Sequence, residues 1–293
     1  MVSLAAFKYG NVLAEDGGPV ARLDVGGIWV CGERQCLVNA HLHPGLSDGK
    51  ARPALYGSAD GTGVDHEPVS AGYRAISEAL ERWAFIATLD GPRAAEYGFL
   101  EDPSANGMAA FPGLFRRQVR ALARADAIQR HAVISWWDGR LPAERTTAPY
   151  PGVEALRIHH DSGPGEVVVL FRRTRAGYAY GHAYGTTLHR ALRKAGLALA
   201  RSEHVLGAHR AMGALAVPTS VLERRALYFA SEEGAERFGR RLLSRPERAP
   251  WPFRVLFDGE IPGPWARWAT VWRCCAQMPT DAYLDPSEEF FFW

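Results

Sequence analysis

Three long segments of the chain place small or apolar residues at helical spacing. In residues 67–89 the alanines recur every four positions, as Ala71 and Ala75 illustrate, so one face of the segment is apolar. The same kind of pattern predicts helices from about 115 to 137 and from about 187 to 204. We therefore expect three long helices that pack through small side chains.

Shorter apolar segments between turn residues predict strands. Residues 20–31 contain two apolar stretches on either side of Gly26-Gly27, which predicts a hairpin with its turn at these glycines. Residues 166–172 are typical of a buried strand, residues 178–183 are its expected partner, and residues 255–257 form another short strand. The remaining segments rich in glycine, proline or polar residues are expected to be loops or linkers: 32–63, 102–113, 149–165 and 244–252.

These elements favour a mixed α/β (α+β) fold over a doubly wound one, because helices and strands are interleaved without strict alternation. The chain has 293 residues, 47% of them hydrophobic, which is ample for a large core in one large domain or two small ones. The last four residues, 290–293, are all aromatic and are expected to be buried.

The charge balance argues against several classes of protein. Charged residues make up 23% of the chain and the formal net charge is +2, so there is no electrostatic case for binding nucleic acid or an acidic membrane surface. Residues 1–16 lack the long apolar stretch of a signal peptide, and no uncharged apolar segment is long enough to span a bilayer. We expect a cytoplasmic protein.

The four cysteines are too few for a disulfide framework in a chain of this length. Cys31, Cys36, Cys274 and Cys275 could bind zinc as thiolates, but their spacing differs from that of the usual zinc knuckles. We interpret them as buried small hydrophobic residues.

One short motif occurs twice. Segments 77–85 (SEALERWAF) and 125–133 (ADAIQRHAV) align at a constant offset of 48 residues, so an acid-x-x-acid/amide-Arg element is repeated. Positions i and i+3 share a helix face, and Glu78 and Glu81 therefore point the same way. The repetition predicts two helices that converge on one site.

The chemistry of this element suits a magnesium nucleotide. Neighbouring carboxylates repel each other and favour a cation between them, and Mg²⁺ prefers oxygen ligands together with phosphates. Arg82 and Arg130 could supply charge to phosphate oxygens. Loops upstream of the two copies, with Gly61 and Gly63 in one and residues 104–107 in the other, could present N–H groups to anions. The alternative is a solvated helix surface with weak salt bridges.

At these residues the chain resembles the YcaO family. The first family signature is a G-x-G loop followed by A-x-x-x-A-x-x-E-A-x-E-R, and the matching residues are Gly61, Gly63, Ala71, Ala75, Glu78, Ala79, Glu81 and Arg82. The second is S-T-N-G-x-A followed by a helix ending E-x-x-E-R-D-A, and its counterparts are Ser104, Ala105, Asn106, Gly107, Ala109, Asp126, Gln129, Arg130, His131 and Ala132. A third family helix resembles residues 187–195.

The resemblance implies a single YcaO-like domain over residues 1–293, built from mixed β-sheets packed with long helices that carry the acidic motifs. Residues 57–200 would be its motif-bearing core, and residues 201–293 would complete the fold. Metal ligands would be Glu78, Glu81, Asp126 and Gln129, and nucleotide contacts would come from Gly61, Gly63, Ser104, Asn106, Arg82 and Arg130. No catalytic residue is assigned.

The resemblance also implies an activity. Members of the family bind ATP and Mg²⁺ and activate a peptide backbone amide. In the cyclodehydratases a Cys, Ser or Thr side chain attacks the preceding carbonyl, the oxyanion takes the γ-phosphoryl group, and loss of phosphate gives an azoline, while relatives make thioamides or amidines. The implied partners are a ribosomally made precursor peptide and a leader-binding protein, and a homodimer is compatible with this interpretation.

Three positions depart from the family pattern. Gln118, Gln129 and Lys194 stand where acids are expected, so the alternative function is a catalytically degenerate subunit that binds a precursor peptide or a partner enzyme. A metal-dependent hydrolase is a third hypothesis, but the chain has no H-E-x-x-H spacing. Trp136 and Trp137 are interpreted as core residues.

Overall fold

The helices and strands were obtained from a computed structural model that describes residues 4–47, 59–113, 115–213, 217–287 and 290–291. The α-helices are α1 (Leu4–Lys8), α2 (Pro44–Ser47), α3 (Pro68–Leu89), α4 (Arg116–Trp137), α5 (Leu188–Met212), α6 (Val221–Phe229) and α7 (Glu232–Leu243). The strands are β1 (Val20–Val30), β2 (Glu33–Leu42), β3 (Gly61–Asp65), β4 (Met108–Phe111), β5 (Ala143–Thr146), β6 (Glu154–Ile158), β7 (Glu166–Arg173), β8 (Tyr178–Gly185), β9 (Val255–Glu260) and β10 (Thr270–Ala276).

The strands form three sheets in which all neighbours are antiparallel. Their orders are β1-β2-β3, β4-β10-β9 and β5-β6-β7-β8. The second sheet joins β4, from the middle of the chain, to β9 and β10 near its end. The mixed α/β fold class is therefore confirmed.

The three predicted helices are present. Pro68 occupies the first turn of α3, where its missing N–H costs nothing, and α4 begins and ends within one residue of the predicted limits. In α5 the Thr187 side chain caps the helix by accepting from the Arg190 N–H. This helix continues to Met212 rather than ending near residue 204, because its apolar face extends through the buried Val205.

The predicted hairpin within residues 20–31 is wrong. Strand β1 passes straight through Gly26-Gly27, which pair with Leu37 and Cys36 of β2. The turn lies at Cys31-Gly32, and both residues adopt positive φ angles of 50° and 98°. Positive φ at both central residues is the requirement of the two-residue turns that match strand twist, so the hairpin closes there.

Several segments expected to be loops contain strands. Strand β2 lies in the predicted 32–63 loop, β4 lies in 102–113, and β6 lies in 149–165. These strands are short or half polar, and pairing stabilises them: β2 with β1 and β3, β6 with β5 and β7, and β4 with the distant β10. Residues 48–58, including Gly57, lie outside the described residues, whereas 244–252 has no helix or strand, as predicted.

Helices α3 and α5 pack against sheets at unusually short range, and glycines make this possible. A Cβ at Gly63 of β3 would lie 1.9 Å from the carbonyl oxygen of Ala71 in α3. In the third sheet, a Cβ at Gly181 of β8 would lie 2.1 Å from the Leu199 nitrogen in α5. Real Cβ atoms do not approach backbone this closely, so these strands must carry glycine where the helices lie on them.

The C-terminal aromatic residues complete one hydrophobic core. Trp136 and Phe291 are both buried, with ring centroids 5.6 Å apart in a T-shaped arrangement, and Phe290 is buried beside them. Trp137 stacks on Phe291 at 5.1 Å. The core assignment of the tryptophan pair is confirmed, and so is burial of the aromatic end at residues 290 and 291, while residues 292–293 lie outside the described part.

The cysteines have the surroundings expected of small hydrophobic residues. Cys31, Cys274 and Cys275 are buried free thiols, and Cys36 is half-buried. Burial raises the pKa of Cys31 to about 11 and that of Cys274 to about 12, so both are protonated at neutral pH. Among the described helices, none combines the length and apolarity needed to cross a membrane.

Candidate functional site

Helices α3 and α4 bring three carboxylates together, as the repeated motif predicted. Burial, the negative charge of Glu78 and that of Asp126 raise the pKa of Glu81 to about 8, while Arg130 and the Ala110 N–H act in the opposite direction. We call Glu78, Glu81 and Asp126 the acidic cluster. Burial, together with these two neighbouring charges, favours the protonated form of Glu81 near neutral pH.

Asp126 is fixed by two hydrogen bonds to the same carboxylate oxygen. The Gly107 N–H donates to Oδ2 at 2.8 Å, and Arg130 Nε donates to it at 2.8 Å. Gly107 adopts a φ of 68°, and a Cβ there would lie 2.0 Å from the Cys274 carbonyl oxygen. Only glycine fits this position. Because of it, the loop before β4 can come close enough for the Gly107 N–H to donate to Asp126 in the acidic cluster.

The loop that contains Ser104 and Asn106 is organised by Asp102, which the sequence interpretation missed. Its Oδ1 accepts from the Ser104 N–H at 3.1 Å and the Ser104 Oγ–H at 2.5 Å, and its Oδ2 accepts from Asn106 Nδ2 at 3.0 Å. The buried Arg273 donates to the Asp102 carbonyl oxygen at 2.6 Å. The signal available in the sequence was the D-x-S spacing, which is typical of a side chain that binds the backbone two residues on.

Replacing Asp102 with asparagine is expected to lower the free energy of unfolding by about 1–3 kcal/mol, because an amide nitrogen cannot accept a hydrogen bond and one buried donor loses its partner. The measurement is chemical denaturation of the purified variant beside wild type. Asp281→Asn is the matched control, since Asp281 is exposed and its side chain makes no capping hydrogen bond. An Asp102→Asn variant as stable as the control would contradict the organising role.

The predicted nucleotide contacts at Gly61 and Gly63 have a packing role in the structure. A Cβ at Gly61 would lie 2.2 Å from the Ala75 carbonyl oxygen, so both glycines let β3 lie on α3. Arg82 lies with its Nε 3.7 Å from the buried carboxylate of Asp60. The structure thus gives these residues local partners, and their contact with a nucleotide stays a prediction.

Gln129, a predicted metal ligand, is bound to β8. Its Oε1 accepts from the Tyr184 N–H at 2.8 Å, and its Nε2 lies 3.1 Å from His182 Nδ1. Burial, and then the charge of Arg130, lower the pKa of His182 to about 3, so the ring is neutral and its Nδ1 can accept. Both ends of the amide therefore hold α4 against the third sheet.

The negative charge of the acidic cluster suits a divalent cation, although its carboxylates do not form a closed set of ligands. In the described residues, no three His, Cys, Asp or Glu side chains are arranged to hold a metal ion. The Glu78 side chain is 46% exposed, and its carboxylate lies 3.7 Å from Arg201 of α5. A hard cation among these oxygens would relieve the repulsion that, after burial, raises the pKa of Glu81, and the role of these residues as metal ligands stays a prediction.

A cavity of about 960 Å³ lies near the acidic cluster, although none of the three carboxylates of the cluster lines it. Ser77 and Ala110 line it, and these residues connect it to the cluster: Ser77 precedes Glu78, and the Ala110 N–H bonds Glu81. Gln118 and Lys194, two of the three departures, also line it. The volume is that of a site for a nucleotide-sized ligand.

Structural comparison places this arrangement among known folds. The YcaO protein of Methanopyrus kandleri, bound with AMPPCP and Mg²⁺, matches with a TM-score of 0.57 at 11% identity, over 96% of this chain and 91% of that chain. The Escherichia coli microcin synthetase McbBCD complex matches with a TM-score of 0.45 at 14% identity, over 66% of this chain and 60% of that chain. The same complex with pro-MccB17 bound gives 0.44 at 11%, over 63% and 57%.

No protein-family model matches the sequence, and no curated protein matches it. The similarity is therefore one of structure. Because the match to the Methanopyrus kandleri protein spans nearly the whole of both chains, the protein described here has a YcaO-like fold.

Proposed function

We propose that this chain binds ATP and Mg²⁺ and uses them to activate a peptide backbone amide, in azoline-forming cyclodehydration or a related modification. The observation that carries the proposal is the acidic cluster, in which Glu78 and Asp126 help to raise the pKa of Glu81 to about 8 beside a nucleotide-sized cavity. A protein of the same fold is bound with AMPPCP and Mg²⁺, which supports the choice of cofactors.

Each residue of the proposed site has a role that its surroundings allow. Glu78, Glu81 and Asp126 would hold the cation, which would neutralise phosphate charge when bound. Arg130 lies 2.8 Å from Asp126 and would bring positive charge near phosphate oxygens. Gln129 contributes less, because its carbonyl oxygen already accepts from β8.

The loop of Ser104 and Asn106 would form another wall of the site. Asp102 fixes both side chains, and the next residue, Gly107, donates to the acidic cluster. A loop held this rigidly can contact a nucleotide without losing further conformational freedom. We also propose a ribosomally made precursor peptide as substrate, with a leader-binding protein or a second copy of this chain as a further partner.

A second candidate function is a catalytically degenerate subunit that binds a precursor peptide or a partner enzyme. Two observations favour it: Gln129 is committed to β8, and Lys194 brings a positive charge to the cavity wall. An amide and an ammonium group in place of two acids leave fewer anionic ligands for a metal.

Two measurements on the wild-type protein test the proposal. Calorimetric titration with AMPPCP and Mg²⁺ is expected to show binding, and ATP with a precursor peptide rich in Cys, Ser and Thr is expected to give peptide-dependent ADP release. The control is the same peptide with its Cys, Ser and Thr replaced by alanine. Binding without peptide-dependent ADP release would favour the second candidate, and absence of both would contradict the proposed function.

A further inference from the structure

The cavity beside the acidic cluster is lined by four cations. Arg74 comes from α3, and Arg190, Arg193 and Lys194 come from the first two turns of α5. We call the last three the α5 cations. They stand on one helix at the wall of a single cavity, where their charges repel one another unless an anion lies between them.

The acids that line the same cavity do not neutralise the α5 cations. Asp65 pairs with Arg74 at 2.8 Å, and Glu33 lies 3.7 Å from His66. Within the part of the chain that the structure describes, no carboxylate lies within 4.0 Å of an α5 cation. The nearest polar contact of Arg190 is the Thr186 hydroxyl, at 3.2 Å.

The surroundings of the α5 cations favour an anionic ligand further. Arg190 lies in the first turn of α5, which has no acid and where the helix dipole disfavours a cation. Desolvation, and then Arg74 and Arg190, lower the pKa of Lys194, whereas Asp126 raises it. Positive charge is thus concentrated at one wall of the cavity, and an anion there would relieve the repulsion between the α5 cations.

Another part of the cavity wall is apolar or aromatic, beside a polar part that includes Glu33, Asp65 and Gln118. Tyr73, Phe111, Tyr150 and Leu197 line the apolar or aromatic part, and such side chains suit a planar base. A ligand with an aromatic part and several negative charges therefore matches the aromatic part of the wall and the α5 cations.

We infer that the α5 cations, Lys194 among them, hold the phosphates of the nucleotide directly, so that nucleotide binding does not require a divalent cation. The inference rests on the proposed function and deepens it. Lys194 supplies at the cavity wall positive charge that a metal ion would otherwise bring to the phosphates. Mg²⁺ at the acidic cluster is then needed for the reaction of the nucleotide but not for its binding.

The test is calorimetric titration of AMPPCP into the wild-type chain, with Mg²⁺ in one arm and EDTA in the other. We expect the two dissociation constants to agree within about tenfold. Lys194→Met is expected to weaken binding in EDTA by about tenfold to a hundredfold, the range for loss of one charged hydrogen bond. Lys194→Arg keeps the charge and is expected to stay within about threefold of wild type in the same arm.

Arg175→Met is the matched control, because it removes the same charge from an exposed turn between β7 and β8. Equal weakening by Arg175→Met and Lys194→Met would overturn the inference, and so would wild-type binding that disappears in EDTA. If AMPPCP binds with Mg²⁺ but not in EDTA, this inference is wrong while the proposed function is retained. Failure to bind in either arm would remove the proposed function itself.

Discussion

Replacing Gly63 with alanine is expected to destabilise the protein by about 3 kcal/mol or more, because overpacking against backbone has no cheap relief. The new Cβ would lie 1.9 Å from the Ala71 carbonyl oxygen and 2.7 Å from the Ala75 nitrogen. Both atoms belong to the backbone of α3, so the helix itself must move away from β3. The melting temperature should fall by about 6 °C or more.

Gly26→Ala provides the matched control. Gly26 also lies in an extended strand of the first sheet, but a Cβ there would meet nothing within 4 Å. Its substitution is expected to change the free energy of unfolding by no more than about 0.5–1 kcal/mol, and in the stabilising direction. Thermal and urea unfolding of both variants measure the difference.

This comparison also separates two roles for the G-x-G segment. If the segment serves mainly to let α3 approach β3, Gly63→Ala loses stability. If it serves mainly to cradle phosphate, the variant keeps wild-type stability and loses affinity for AMPPCP. A stable Gly63→Ala variant would therefore contradict the packing role that the structure gives this residue.

The second large effect is expected from Glu81→Gln, which should lower peptide-dependent ADP release at least about a hundredfold, since a metal's charge stabilisation is worth several kcal/mol. Within the acidic cluster, the negative charges of both Glu78 and Asp126 act on the Glu81 carboxyl group. The amide is nearly the same size but brings no charge to a cation. Steady-state ADP release with ATP, Mg²⁺ and the precursor peptide measures the loss.

The same variant is expected to be more stable than wild type without ligand. The pKa of Glu81 rises from 4.5 to about 8 on folding, so between these values the unfolded chain releases a proton that the folded chain retains. Wild-type stability therefore falls as the pH rises from about 4.5 to about 8. Glu81→Gln removes this dependence, and its advantage in melting temperature should grow from pH 5 to pH 8.

Glu15→Gln is the control for both readouts, because Glu15 is an exposed acid on a 3₁₀ helix outside the site. It should leave ADP release and the pH dependence of melting unchanged. Wild-type turnover in Glu81→Gln would refute the metal role of the acidic cluster. A variant destabilised at pH 8 would show that the Glu81 carboxylate is held by favourable contacts rather than by unrelieved repulsion.

Helical spacing predicted the elements that matter most for the site. Alanines every four residues in α3 and the repeated acid-x-x-acid/amide-Arg element were sufficient to predict two helices that share one site. Such patterns are local, because side chains three and four positions apart meet on one helix face wherever the helix lies. The proximity of Glu81 to Glu78 and Asp126 could therefore be predicted from the sequence, while their role as metal ligands stays a prediction.

Turn chemistry was a less reliable guide. Gly26-Gly27 has the composition of a turn but lies inside β1, while the turn forms at Cys31-Gly32. A glycine pair permits a turn without requiring one. The register in which β1 pairs with β2 decides that the chain turns at Cys31-Gly32 rather than at Gly26-Gly27. Strands β2, β4 and β6 were missed for the same reason, since their partners supply the stabilisation.

By itself, the sequence determined the positions of the long helices, the acidic faces of α3 and α4, and the resemblance that led to the YcaO-like fold. Only the tertiary structure decided that Asp102 fixes the Ser104 loop, that Gln129 binds β8, and that the α5 cations line the cavity beside the acidic cluster. These contacts join residues from different elements, and some lie more than fifty positions apart, such as Gln129 and Tyr184. No periodicity encodes which of many compatible partners a side chain meets, because packing of the whole chain selects it.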